Sequence, residues 1–148
     1  MTDLTALFND LVRTETRLYN TVDARLRAEH GLPLGSLEVL QIIGGRPHCR
    51  VQDVAHEVGI TVGATSKAVD RLEARGWCRR AANPDDRRSS LLVLTPAGRE
   101  VLDTATPSLE AVLAELTAGL PAPLLDQLAG ALRAWRPLLT PDSPGGSA

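Results

Sequence analysis

A chain of 148 residues, 43% of them hydrophobic, is long enough to fold as one domain around a proper core. It has no run of 18 apolar residues, and its start, Met1-Thr2-Asp3-Leu4-Thr5, lacks the basic stretch of a signal peptide. The expectation is therefore a soluble, cytoplasmic protein without membrane contact. Two cysteines, Cys49 and Cys78, with no C-x-x-C spacing, exclude a disulfide framework.

The first predicted element covers residues 4–30, where Leu4, Leu7, Phe8, Leu11, Leu18, Val22 and Leu26 fall three, four or seven apart. This is a long amphipathic helix, ended by Gly31 and Pro33. At about 1.5 Å per residue it reaches ~40 Å, more than a small domain needs, so it is expected to pack against a partner. Residues 35–43 carry Leu37, Val39, Leu40, Ile42 and Ile43 nearly all round and read as a central core helix, broken by Gly44, Gly45 and Pro47. Residues 48–50 are a candidate short strand.

In residues 51–76, Val51, Val54, Ala55 and Val58 form the buried stripe of a short helix. Gly59 supplies the turn, and Ile60 is expected to return to the core. Thr61 caps a second helix, in which Ser66, Lys67, Asp70 and Arg71 face away from Thr65, Ala68, Val69 and Leu72. Two short helices joined by a glycine turn, the second with a partly cationic face, form a helix-turn-helix. Next come two strand-like runs, 77–81 and 91–94, around the polar turn Asn83-Pro84-Asp85-Asp86-Arg87-Arg88-Ser89-Ser90. A hairpin with a basic tip directly behind such a helix is a wing.

Thr95 and Pro96 open a further helix towards Leu116, with a kink or break expected near Pro107. The last helix, 122–135, sets Leu124, Leu125, Leu128, Leu132 and Trp135 on its apolar side and stops at Pro137. The tail 140–148, rich in Pro, Gly and Ser, is expected to be disordered.

A net charge of −2 argues at first against nucleic acid, but its distribution does not. Residues 61–90 hold seven basic side chains (Lys67, Arg71, Arg75, Arg79, Arg80, Arg87, Arg88) against four acidic ones, a local balance of +3. A cationic patch on an acidic body suits DNA, because local charge meets the phosphates. His30, His48 and His56, even with Cys49 and Glu57, match no zinc spacing, so no metal and no cofactor are expected. Nucleophile-elbow, phosphate-loop and catalytic His/Cys patterns are missing, which argues against an enzyme.

Three segments, Val69-Asp70-Arg71-Leu72-Glu73-Ala74-Arg75-Gly76, Asp86-Arg87-Arg88-Ser89 and Leu94-Thr95-Pro96-Ala97-Gly98-Arg99, occur in the order and at the spacing of the multiple-antibiotic-resistance regulator (MarR) family. On these segments the chain resembles that family of winged helix-turn-helix transcription factors. The resemblance implies a mainly α fold with a small antiparallel β-wing. It places dimerisation helices at 1–33 and 96–139 and a winged helix-turn-helix lobe at 34–95. It further implies a homodimer that acts as a transcriptional regulator, expected to be a repressor, on a pseudo-palindromic operator in double-stranded DNA. Carried over by position, the recognition face is Val62, Gly63, Ala64, Ser66, Lys67 and Arg71. In the wing, Asp86, Arg87 and Arg88 follow, with Arg88 entering the minor groove and Asp86 steadying it. Val62, Gly63 and Ala64 offer few hydrogen-bonding groups, which favours methyl contacts and shape readout.

The resemblance also implies a small apolar or aromatic-acid effector in a cleft between the dimer helices and the lobe. Tyr19 and Trp135 are candidates for its lining, although aromatics on apolar helix faces are more often core or dimer contacts. Two alternatives remain: a winged-helix protein–protein adaptor without DNA binding, and a thiol-based redox-sensing regulator. Peroxide-sensing relatives carry a reactive cysteine in the first helix, and this chain has none there. Cys49 and Cys78 are expected two strands apart, beyond disulfide reach, in ordinary packing roles.

Overall fold

The computed structural model describes residues 1–139; the tail 140–148 lies outside them. Helix α1 spans Leu4–His30. The Asp3 carboxylate accepts from the amides of Thr5 and Ala6 at 3.0 Å and closes its first turn. Gly31 ends it in the left-handed region, φ 60°, its amide on the Arg27 carbonyl.

Helix α2, Leu34–Gly45, is the centre of the core, with Leu37 and Leu40 fully buried. It ends at Gly45, two residues past the expected end at Ile43 and within the Gly44-Gly45-Pro47 stretch expected to break it. Packing explains Gly44: a Cβ there would lie 2.9 Å from side-chain carbons of both Leu94 and Leu102. Gly44 thus admits close neighbours in the last turn of the helix.

Helices α3, Val51–Val58, and α4, Val62–Ala74, form the helix-turn-helix. Gly59 turns at φ 79°, and the Thr61 hydroxyl accepts the Ala64 amide at 3.1 Å. Ile60 does not return to the core; it is 42% exposed. Its amide closes the turn on the Ala55 carbonyl, and buried Val54, Ala55 and Val69 already fill the interior of the pair.

Strands β1, Cys78–Ala82, and β2, Ser90–Leu94, pair antiparallel, with Cys78 opposite Leu94 and Ala82 opposite Ser90. Residues 48–50 make no regular strand, since His48 sits at φ 53°. The Cys49 carbonyl still accepts the Leu92 amide at 2.7 Å, so this segment lies along β2 without extending a ladder. Cys49 and Cys78 are buried free thiols.

Helix α5, Pro96–Thr117, is unbroken at Pro107, where a kink or a break was expected. Thr95 caps it, accepting the Gly98 amide at 3.0 Å. Helix α6, Ala122–Trp135, is followed by a 3-10 turn, Arg136–Leu139. Met1–Leu113 forms one compact unit, which holds the core of Leu26, Leu32, Leu37, Leu40, Val54, Val69 and Leu72. The second unit begins at Ala114. Within it α6 forms the expected apolar face but buries none of its residues. Among the described residues no single helix is long and apolar enough to cross a membrane.

Candidate nucleic-acid interface

The recognition helix is positioned from its inner face. Thr65, Val69 and Leu72 are buried, and the Thr65 hydroxyl is satisfied by the Thr61 carbonyl at 2.9 Å. Helical spacing then forces Val62, Gly63, Ala64, Lys67 and Arg71 outward, all exposed, with Ser66 half-buried at the edge.

The wing is held by its own polar residues. The Asn83 carboxamide accepts the Asp85 amide at 3.0 Å and donates to the Ser89 hydroxyl at 3.0 Å. The Asp86 carboxylate accepts the Arg88 backbone amide at 2.9 Å and the Ser89 hydroxyl at 3.3 Å. Asp86 thus braces the loop through its backbone. Among the described residues it makes no ion pair with the Arg88 guanidinium, the contact that "steadying the arginine" would suggest. Asp86, Arg87 and Arg88 are all exposed at the tip.

Arg80 ties the wing to the recognition helix. From β1 it pairs with Glu73 at 2.8 Å and Asp70 at 2.9 Å, and it reaches the Ser66 carbonyl and hydroxyl. The Glu73 carboxylate also accepts the Arg80 amide at 3.0 Å. Arg75 lies 4.0 Å from the centre of the Trp77 ring and donates to the Gly31 carbonyl. These two arginines serve the fold. Among the described residues Lys67, Arg71, Arg79, Arg87 and Arg88 carry no ion pair, and they give the surface its free positive charge.

A cleft of about 250 Å³ brings Val62, Ser66 and Arg88 together with Arg50, Gln52 and Ser90. Gly63, Ala64, Lys67, Arg71, Asp86 and Arg87 lie outside that lining. Arg50 and Gln52 were missed by sequence reasoning, because their interest comes from α3 starting opposite the wing. Arg50 is held there by Asp53, whose carboxylate accepts the Arg50 amide at 2.9 Å and also meets Arg46 at 3.2 Å. Burial works to raise the Asp53 pKa, but the hydrogen bonds from Arg50 and the two guanidinium charges outweigh it, so Asp53 stays below the ordinary carboxylate range.

A second cleft, of about 260 Å³, is lined by Glu15, Leu18, Tyr19 and Val22 of α1, Leu34, Glu38 and Gln41 of α2, and Leu109 and Leu113. Tyr19 therefore stands in a cleft wall. Trp135 is 38% exposed. Among the described residues no three His, Cys, Asp or Glu side chains gather as a metal site.

Comparison with known proteins bears on this arrangement. The family model described as "MarR family" matches residues 32–90, the stretch that carries the helix-turn-helix and the wing. The chain is 29% identical over 122 residues to the HTH-type transcriptional regulator YkoM of Bacillus subtilis, covering 80% of this chain and 79% of YkoM. In another curated relative the match spans about half of its length, 44%. Among solved structures, Sco3205, a MarR family transcriptional regulator from Streptomyces coelicolor in complex with DNA, superposes with a TM-score of 0.85 at 26% identity. That superposition covers 93% of this chain and 88% of Sco3205. CouR from Rhodococcus jostii RHA1, bound to p-coumaroyl-CoA, gives 0.76 at 26% identity over 91% of this chain and 92% of its own. With the matched residues falling on the helix-turn-helix and wing described above, this chain is similar, in sequence over residues 32–90 and in fold, to the MarR family of winged helix-turn-helix transcriptional regulators.

Proposed function

We propose that the protein is a repressor that binds a pseudo-palindromic operator as a homodimer. The observation that carries this reading is the exposed, unpaired cationic surface shared by α4 and the wing, on a net acidic chain. Val62, Gly63, Ala64, Ser66, Lys67 and Arg71 meet the major groove. Their small, partly apolar character suits thymine methyl contacts, with Lys67 supplying the one long donor to guanine. Arg88 enters the flanking minor groove, Arg87 meets phosphate, and Asp86 keeps the loop in shape for both. Sco3205 was solved on DNA, which supports carrying this geometry over.

Dimerisation rests on uncovered apolar faces. On α1, Leu4, Leu7, Phe8 and Val12 are 45–73% exposed. On α6, Leu124, Leu128, Leu132 and Trp135 are 37–48% exposed. Stripes of this kind are covered in oligomers, and a second copy of the chain is the occupant that a two-fold operator requires. The helices at 1–33 and 96–139 form the dimerisation part in this reading, and 34–95 the DNA-binding lobe. A small, largely apolar effector in the cleft lined by Tyr19 would shift the spacing of the two lobes and release DNA. The ligand in CouR supports an effector of some kind, though it is that protein's own.

The test is a gel shift with the region upstream of the protein's own gene. Retardation that competes with specific but not random duplex, and weakens with salt, supports the regulator. Failure to retard any sequence would favour a winged-helix adaptor that binds protein instead.

A further inference from the structure

The cleft between α1, α2 and α5 is apolar on its floor and carries two carboxylates on its walls. Leu18, Val22, Leu34, Leu109 and Leu113 supply the apolar part. Glu15 and Glu38 supply the charge, from facing helices, with the Tyr19 hydroxyl and Gln41 beside them. No basic side chain lines the cleft. Among the described residues neither Glu15 nor Glu38 has an ion pair. The nearby arginine of α1, Arg27, is occupied by Asp23 at 2.8 Å.

We infer that this cleft takes a small amphipathic cation, an aromatic or alkyl body carrying one protonated amine, with the amine between Glu15 and Glu38. This rests on the reading of the cleft as the effector site and adds the ligand's charge. An aromatic acid, the expectation drawn from family resemblance, would bring a third carboxylate beside exposed Glu15 and half-buried Glu38. Without a cation of the protein's own in the lining to compensate, that approach of like charges is unfavourable.

The titration behaviour of the lining agrees with the geometry. Burial, and then the charge of Glu15, hold the Glu38 carboxyl above its ordinary range. The Tyr19 phenol is raised by burial, then by Glu38, Asp23 and Glu15, with only the charge of Arg27 opposing. Glu38 and Tyr19 thus both feel the negative charge of their neighbours. An ammonium group would relieve it while its hydrocarbon part covered the leucines.

Two probes of the same length and opposite charge, 4-phenylbutylamine and 4-phenylbutyrate, separate the possibilities. Calorimetry on the full chain measures binding, and fluorescence anisotropy on operator duplex measures release. The amine should bind and lower DNA affinity, and the butyrate should do neither. Glu38→Gln should weaken the amine by roughly tenfold, the loss expected for one charge-assisted contact. Glu15→Lys, at an exposed helical position where folding is not at risk, should abolish amine binding and admit the butyrate. Butyrate binding to the wild type in place of the amine would overturn the charge assignment and leave the cleft as the effector site. If neither probe binds at millimolar concentration, the cleft reading falls as well. Amine binding that ignores both substitutions would place the site elsewhere and also overturn the proposal.

Discussion

A methyl group on Gly98 would lie 1.8 Å from the Trp77 carbonyl oxygen, which itself accepts the Thr95 amide at 3.1 Å. Backbone meets backbone there, and neither side can yield as a flexible side chain would. Gly98→Ala should therefore cost about 3 kcal/mol or more, read as a lower urea midpoint at unchanged slope. Gly63→Ala is the contrast: it is a helical position with nothing within 4 Å of the added carbon, and it should be neutral or stabilising by up to about 1 kcal/mol. Equal effects at the two sites would contradict the packing account. The thiols invite a second residue-scale test. Burial, with Glu73 adding to it, pushes Cys78 up to about 11, and burial likewise raises Cys49. Both are protonated and shielded at neutral pH, so a disulfide reagent should label them only on unfolding. Dilute peroxide should leave DNA binding unaltered in the wild type. Release of DNA by peroxide, lost when both cysteines are replaced by serine, would restore the redox-sensing alternative.

At the scale of elements, the carboxylates that start and join helices set the response to acid. Asp23 accepts the Leu34 amide at 2.9 Å, and this bond, followed by the one from Arg27, holds its pKa below the ordinary value. A group whose folded pKa is depressed stabilises the fold above its unfolded pKa. That contribution fades as pH falls through the folded value, hence below about pH 4. Asp53 at the start of α3 behaves alike. Asp23→Asn should lower stability at pH 7 and reduce its change between pH 5 and pH 3, in unfolding curves taken across that range. An unchanged pH slope would show that Asp23 is not the linking group. These elements were largely legible in the sequence, because Thr61 and Thr95 as caps, Gly59 as a turn and the apolar stripes of α1, α3 and α4 are local signals. Less legible were features decided by distant neighbours. Gly44 admits Leu94 and Leu102, Pro107 is tolerated inside a continuous helix, and Ile60 stays outside because other side chains fill the interior. The candidate interface divides the same way. The outward face of α4 follows from helical spacing, whereas the diversion of Arg80 to Glu73 and Asp70, and the arrival of Arg50 opposite the wing, depend on tertiary approach.

For the whole molecule, the apolar faces of α1 and α6 require a second copy in the proposed account. Light scattering should give twice the 15.8 kDa chain mass at micromolar concentration, and Leu124→Asp with Leu128→Asp should shift it towards the monomer. A stable wild-type monomer would remove the basis for a two-fold operator. The central claim, that the hairpin is a DNA-binding wing set beside a recognition helix, is tested most directly by Arg88→Ala. Anisotropy titrations across a salt series, on operator, single-base operator variants and random duplex, give affinity, specificity and counterion release together. Loss of Arg88 should weaken specific and nonspecific binding alike and lower the salt slope by about one unit for each wing. Lys67→Ala, in the same series, should instead relax the preference at one base pair of each half-site, by about 1–3 kcal/mol. If Arg88→Ala keeps both the affinity and the salt slope of the wild type, the hairpin does not bind DNA and the account is wrong.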